Sequence, residues 1–368
     1  MKSRNSKFKA VVRLAMPLVV LVVTIVIPPA GHSSSNEVWS QSEVSPTSLN
    51  AAILFSPEGQ LVATGRAETD NVYIRSAADG TLIRVLNGRD NNADALAFSP
   101  DSQLLITGTG GPGDGLSLNL WRVTDGVRLV GRIPAHNNGT IGVSLSPDGQ
   151  LLATCGFHDP NILLWHVPDM TQLGAINNFD LEFGAALRVK AIAFSPDGQL
   201  LATGDGRNIK LRQVSDGAIV RTFAASGALN HITLAFGPDG KKLIAGITSL
   251  DPTYGSCVDC SVKLWRVADG RLLRSFRSRA GELKYTKVGF SPDGQTIAAG
   301  FVIGNNTSGA IEFWSVDNGR SIFVDNQPSG VHAFAFSPDG RFYGYMLVNG
   351  TVAVSESPVI RSSLMKVS

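Results

Sequence analysis

Beyond residue 50 the chain alternates apolar and polar positions in short runs, and each run ends in turn residues. The stretch FSPDGQLLATG (194–204) shows the unit: a short apolar run, a Ser-Pro-Asp-Gly turn, then a second alternating run. Period-two alternation on both sides of a tight turn predicts a β-hairpin with one face buried. The unit recurs seven times, anchored at Phe55, Phe98, Leu145, Phe194, Phe236, Phe290 and Phe336, with spacings of 43, 47, 49, 42, 54 and 46 residues. No segment in this region carries a sustained helical period.

Each repeat has a second half, as in LNLWRVTDGVRLV, VKLWRVADGRLLRSF and IEFWSVDNGRSIF, where alternating residues enter and leave an Asp-Gly or Asn-Gly turn. That is a second hairpin. Four antiparallel strands per repeat, named a to d from the axis outward, with a period in the forties, predict an all-β fold: a seven-bladed β-propeller of four-stranded antiparallel blades over residues 49–364. Strand a alternates small residues such as Ala52, Ala95, Gly142 and Ala191 with larger ones such as Ile53, Leu96, Val143 and Ile192. The small face is expected where blades crowd at the axis and the large face in the core between blades. Lys287 breaks the small pattern and is expected to point into the central channel.

The joint occurrence of FSPDG and LWRVADG resembles the WD40-repeat family, in particular its seven-bladed members, over about residues 50–360. The resemblance implies a structural tetrad of His before strand a, Ser or Thr in strand b, Asp in the b–c turn and Trp in strand c. Blade three matches it throughout with His136, Thr154, Asp159 and Trp165. Blade five keeps Asp259, as its b–c turn Asp, and Trp265. Arg75, Arg212 and Ser355 stand at the Trp position of blades one, four and seven. It also implies ring closure by an N-terminal strand, here NEVWSQSEV (36–44), with PVIRSSLMK (358–366) as the other candidate for the last outer strand. Finally, it implies an interaction platform rather than an enzyme.

The a–b and c–d turns are short, whereas the b–c and d–a loops on the opposite face vary in length: 109–115, 177–190, 247–260 and 302–309. Variable loops on a rigid scaffold are where binding groups sit, which makes Asp90, His231, Tyr254, Lys287 and His332 the candidates for a partner face. Cys257 and Cys260 of CVDC lack the two further ligands a zinc site needs and the helix N-terminus of a redox motif; a local disulfide in a b–c loop is expected. Cys155 reads as a small buried residue. DNNAD (90–94) lacks the glycine and distal glutamate of a calcium loop, and GTGGPGDG has neither the Lys-Ser/Thr ending nor the helix of a phosphate loop. No nucleophile elbow or HExxH is present, so no catalytic residue, metal or cofactor is expected.

Composition changes the picture mainly at the N-terminus. Five of the 32 basic residues, Lys2, Arg4, Lys7, Lys9 and Arg13, lie ahead of an apolar run from Leu14 to Ile27, and residues 1–30 hold no acidic residue. This run is shorter than a spanning helix and reads as a signal peptide, with a retained membrane anchor as the alternative; residues 31–48 read as a polar linker. What remains has 27 basic against 30 acidic residues, which gives no overall electrostatic footprint for nucleic acid. The expectation is an exported, periplasmic or secreted monomer that binds a protein or peptide on its b–c/d–a loop face. It touches a membrane only if the N-terminal segment is kept. The competing reading is a lactonase- or dehydrogenase-like propeller enzyme with its site at the channel mouth.

Overall fold

The Ser-Pro-Asp-Gly turn builds itself from local chemistry. In blade three, Ser146 Oγ donates to Asp148 Oδ1 at 2.5 Å and accepts the Leu151 amide at 2.9 Å. Asp148 Oδ1 also takes the Gln150 amide at 3.0 Å. The same pairing at Asp101, Asp148 and Asp197 holds each carboxyl below the usual Asp range, the Ser hydroxyl being the largest cause. The closing glycine takes a left-handed backbone, φ 71° at Gly198, which favours Gly for lack of a Cβ; Ser102 fills the same role at φ 60°.

These turns also join blades. Gly149 lies against Pro100, Gly198 against Pro147, Gly240 against Pro196, Gly294 against Pro238 and Gly340 against Pro292, and Gly59 against Pro338 joins blade one to blade seven. A Cβ on Gly149 would come within 2.9 Å of Pro100. The motif is therefore repeated because each copy seats the next blade.

The computed structural model describes residues 36–42, 51–66, 71–87, 93–109, 116–136, 139–156, 159–180, 185–224, 229, 231–251, 257–278, 283–303 and 307–358. Within them are seven four-stranded antiparallel sheets, each in a-b-c-d order. Blade one spans 51–87, blade two 93–134, blade three 140–177, blade four 191–224, blade five 231–276 and blade six 283–327. Blade seven takes its a, b and c strands from 331–356 and its d strand from the N-terminal Glu37–Ser42, which pairs antiparallel with Thr351–Glu356. The signal-like segment 1–30, Asp90 and Tyr254 lie outside the described residues, as does all but Pro358 of the alternative closing segment.

The core is divided into seven apolar clusters among the described residues, one at each blade boundary. The strand-c tryptophans fill the boundary with the preceding blade: Trp121 packs with Leu86 and Ile74 of blade one, and Trp265 with Phe223 of blade four, ring centroids 5.7 Å apart. All four are at most 4% exposed. Trp39 closes the ring in the same manner. Its indole N–H donates to the Ala77 carbonyl at 2.9 Å, and its ring covers Gly80 of blade one.

Three expectations are corrected here. The blade-five hairpin is longer than its repeats suggest: strands Lys242–Leu250 and Cys257–Arg266 pair from Lys242 opposite Arg266 out to Leu250 opposite Cys257. Asp259 is therefore not a turn residue but sits in a strand opposite Ser249, and Cys257 and Cys260 belong to that strand rather than to a loop. The loops expected at 302–309 and 177–190 likewise contain strand: Thr296–Ile303 pairs with Ser308–Ser315, and Phe179–Asp180 with Ala185–Ala186. Third, the large face of strand a fills the clusters between blades as expected, with Ile53 and Ile192 in them, but its free edge rather than the small face alone borders the axis. Small and large positions alike, Ala52 with Ile53 and Gly142 with Val143, border the central cavity.

Candidate functional site

Two polar constellations stand out, and burial separates them. In blade three, His136 Nδ1 is 2.7 Å from Asp159 Oδ2 and His136 Nε2 is 3.0 Å from Thr154 Oγ1, which also accepts the Trp165 indole N–H at 3.1 Å. An imidazole between a carboxylate and a hydroxyl has the connectivity of a hydrolase triad. Here Thr154 is fully buried and His136 2% exposed, and the Thr oxygen is engaged by Trp165, so no substrate reaches it. Burial lowers the His136 pKa against the pull of Asp159. The neutral ring donates from Nδ1 and accepts at Nε2, a tautomer inferred from the partners. The network fastens the d–a and b–c segments of blade three to strands b and c.

Where the Trp is replaced, Arg does a related job. Arg75 Nη1 reaches the Gly80 carbonyl at 3.4 Å and Arg212 Nη1 the Gly217 carbonyl at 3.1 Å, each the glycine of its own c–d turn. In blade four, Arg212 and Lys210 both donate to Asn178 Oδ1 at 2.7 and 3.3 Å, and Lys210 pairs with Asp205 at 3.3 Å. Asn178, Asp205, Lys210 and Arg212 are each at most 4% exposed. Sequence reasoning marked Arg212 only as a lost Trp. Its partner Asn178 lies 34 positions away, and no local spacing signals it.

In blade five, Asp259 has lost its His and instead pairs with Lys263 Nζ at 2.7 Å and accepts from Ser261 Oγ at 2.7 Å. Beside it Cys257 and Cys260 are joined by a disulfide. Cys155 is free and fully buried, and burial pushes its thiol up to about 12.

The second constellation lines the axis. A cavity of about 620 Å³ is bordered by the inner strands of the blades, within the range of ligand sites in general. The sequence candidates His231, Lys287 and His332 all border it, and Arg188 and Lys190, which sequence reasoning did not single out, join them. Their common signal was register. Counted back from the anchors Phe194, Phe236, Phe290 and Phe336, the five lie three to six positions upstream: Arg188 and Lys190 just before strand a of blade four, His231 and His332 at the start of strand a, and Lys287 inside strand a of blade six. Arg188 and His231 are exposed, Lys190 and Lys287 half-buried, and His332 buried. Lys190 Nζ bonds the Leu229 carbonyl, and burial, with Arg188 adding, lowers its pKa while Asp205 opposes. Among the described residues no group of three or more His, Cys, Asp or Glu is placed to hold a metal ion.

Against known proteins, residues 80–121, 127–166 and 182–212 match the WD40 family, described as WD domain, G-beta repeat. The first two matches each begin with strand d of one blade and end in strand c of the next, so the repeat is offset from the blade by one strand. The chain is similar to telomerase protein component 1 of Rattus norvegicus, 28% identical over 303 residues, covering 80% of this chain and 10% of that protein. It is also similar to the guanine nucleotide-binding protein subunit beta of Oryza sativa subsp. japonica, 24% identical over 264 residues, covering 67% of this chain and 65% of that protein. The chain thus spans about a tenth of the rat relative and just under two thirds of the rice one. Among solved structures, the Myceliophteria thermophila Cps50 (Swd1) β-propeller domain superposes with TM-score 0.70 at 18% identity, covering 86% of this chain and 99% of that one. Three stretches of the chain thus match WD40 repeats, and the fold is a seven-bladed propeller.

Proposed function

We propose that the protein is an exported, non-enzymatic scaffold that holds a protein or peptide partner on its b–c/d–a loop face, over the mouth of the axial cavity. The observation that carries this reading is that Arg188, Lys190, His231, Lys287 and His332 all border that one cavity, while His136 and Thr154 of blade three are buried inside the blade. Relatives such as the guanine nucleotide-binding protein subunit beta support an interaction role. Export is supported by the basic stretch and apolar run of residues 1–27 and by a disulfide that suits an oxidising compartment. The working unit of this reading is a monomer.

Native mass spectrometry of the protein from its host's envelope fraction tests this. The expected result is a chain without its N-terminal segment, two hydrogens short of the reduced mass, free of metal and carrying a protein partner. A metal-bound chain with no partner, together with turnover in a hydrolase or oxidoreductase assay, overturns it in favour of a propeller enzyme.

A further inference from the structure

The cavity is chemically two-sided. Its basic groups come from a continuous arc of four blades: Arg188 and Lys190 at blade four, His231 in blade five, Lys287 in blade six and His332 in blade seven. Apolar residues border the cavity all round, Ile192, Ile232 and Val288 among them, but on blades one to three, at Ile53, Leu54, Leu96, Ile141 and Val143, no described basic residue joins them. Among the described residues that border the cavity there is no Asp or Glu, although acidic residues outnumber basic ones in the chain after residue 30.

Behind the blade-four part of the arc, the described buried groups do not reverse its sign. The nearby buried carboxylate, Asp205, is already shared by Lys210, which pairs with it, and by Asn178, which donates to it at 3.2 Å, and Arg212 lies in the same network. That cluster sets two buried cations against one carboxylate. Thr233 adds an independent observation. It borders the cavity from blade five, is 8% exposed, and its hydroxyl has no hydrogen-bond partner. Buried hydroxyls are ordinarily satisfied, and an oxygen acceptor brought to this wall by a small shift would satisfy this one.

Resting on the scaffold reading above, we infer that the partner enters the cavity with an acidic–apolar segment, a carboxylate facing the arc of blades four to seven and its neighbouring apolar side chain against blades one to three. Low dielectric at the mouth strengthens a carboxylate's attraction to Lys190 and Lys287 relative to open water, and the apolar arc gains by burial. A nucleic acid fits less well. Its phosphates would track a long basic groove with aromatic stacking surfaces, whereas these cations form a short arc and Phe334 is the one aromatic among the described residues bordering the cavity.

The test is fluorescence anisotropy of the full chain with labelled peptides of about ten residues, alternating leucine with glutamate, lysine or glutamine, alongside a poly-uridine oligonucleotide of similar length. The glutamate peptide is expected to bind at least tenfold more tightly than the lysine and glutamine peptides, and to weaken as salt rises. Lys287→Glu and Lys190→Glu should each cost tenfold or more. Lys241→Glu, exposed in the a–b turn of blade five and away from the cavity, and Lys287→Gln report on fold integrity and on simple charge removal; Lys287→Gln should fall between wild type and Lys287→Glu. Equal affinity for the three peptides, no loss in Lys287→Glu, or tighter binding of the oligonucleotide overturns the inference. A partner found by native mass spectrometry that binds with unchanged affinity to Lys287→Glu leaves the scaffold standing and removes only the acidic chemistry. A chain with no partner and no peptide binding removes both.

Discussion

His136, Thr154 and Trp165 form a buried chain in which one hydroxyl serves two partners. Thr154→Val leaves the imidazole Nε2 and the indole N–H without that oxygen, and denaturant unfolding should show a loss of about 3 kcal/mol. The His136 pKa is lowered in the folded protein, so the unfolded chain takes up the proton first as pH falls. The stability this residue contributes is complete above its unfolded pKa, near 6.5, and is lost below it by at most about 1.4 kcal/mol per pH unit until the folded pKa is reached. His136→Asn should flatten that part of the profile. A second residue pair tests packing: a Cβ on Gly142 would meet Cys155 Sγ at 2.7 Å. Gly142→Ala should cost about 1–3 kcal/mol, and Cys155→Ala in the same chain should recover much of it, an interaction energy that additive effects would not produce. At this scale the sequence showed what is local. The tetrad residues of blade three were named from the family resemblance, and the structure brings them into contact. The roles of Arg75 and Arg212 were not legible, because a long side chain can reach many carbonyls and only the folded c–d turn selects one.

Among elements, the strand Glu37–Ser42 has the largest consequence, since it supplies the outer strand of blade seven and through Trp39 contacts blade one. Trp39→Ala should destabilise the fold by about 3–5 kcal/mol. The exposed Leu173 of blade three, 59% accessible, should tolerate Ala within about 0.5 kcal/mol. Replacing both Cys257 and Cys260 by Ser should cost no more than about 2 kcal/mol by thermal or denaturant unfolding, because the bond closes a very short loop. Asp259, paired with Lys263 opposite Ser249, keeps the strand in place. The hairpin halves were legible from period-two alternation. The extension of blades five and six was not, because CVDCS and TSGA carry too few large apolar residues to distinguish a strand from a loop; what makes them strands is the ladder to their partners, a non-local fact.

At the scale of the molecule, seven boundaries each hold one apolar cluster, and two rings of turns seat each blade on its neighbour. The Gly–Pro contacts of the a–b turns run around one face, and outer-strand arginines add to them: Arg84 bonds the Thr124 and Asp125 carbonyls, and Arg221 that of Ala268, each in the c–d turn of the next blade. Seven weak copies of the repeat made the propeller legible without any single strong motif. The axial cavity was only partly legible. His231, Lys287 and His332 were singled out one by one, but that they border one cavity with Arg188 and Lys190 emerges only when the inner strands are brought into a ring.

A photo-reactive amino acid placed at 188 on the loop face and, separately, at 197 in the a–b turn of the same blade compares the two faces directly. Both positions are exposed, so access does not bias the comparison. Irradiation in the native host should join the 188 variant, and not the 197 variant, to one partner, and Lys287→Glu should abolish the adduct. An adduct formed from 197 with none from 188 would place the partner on the turn face and contradict the scaffold as described.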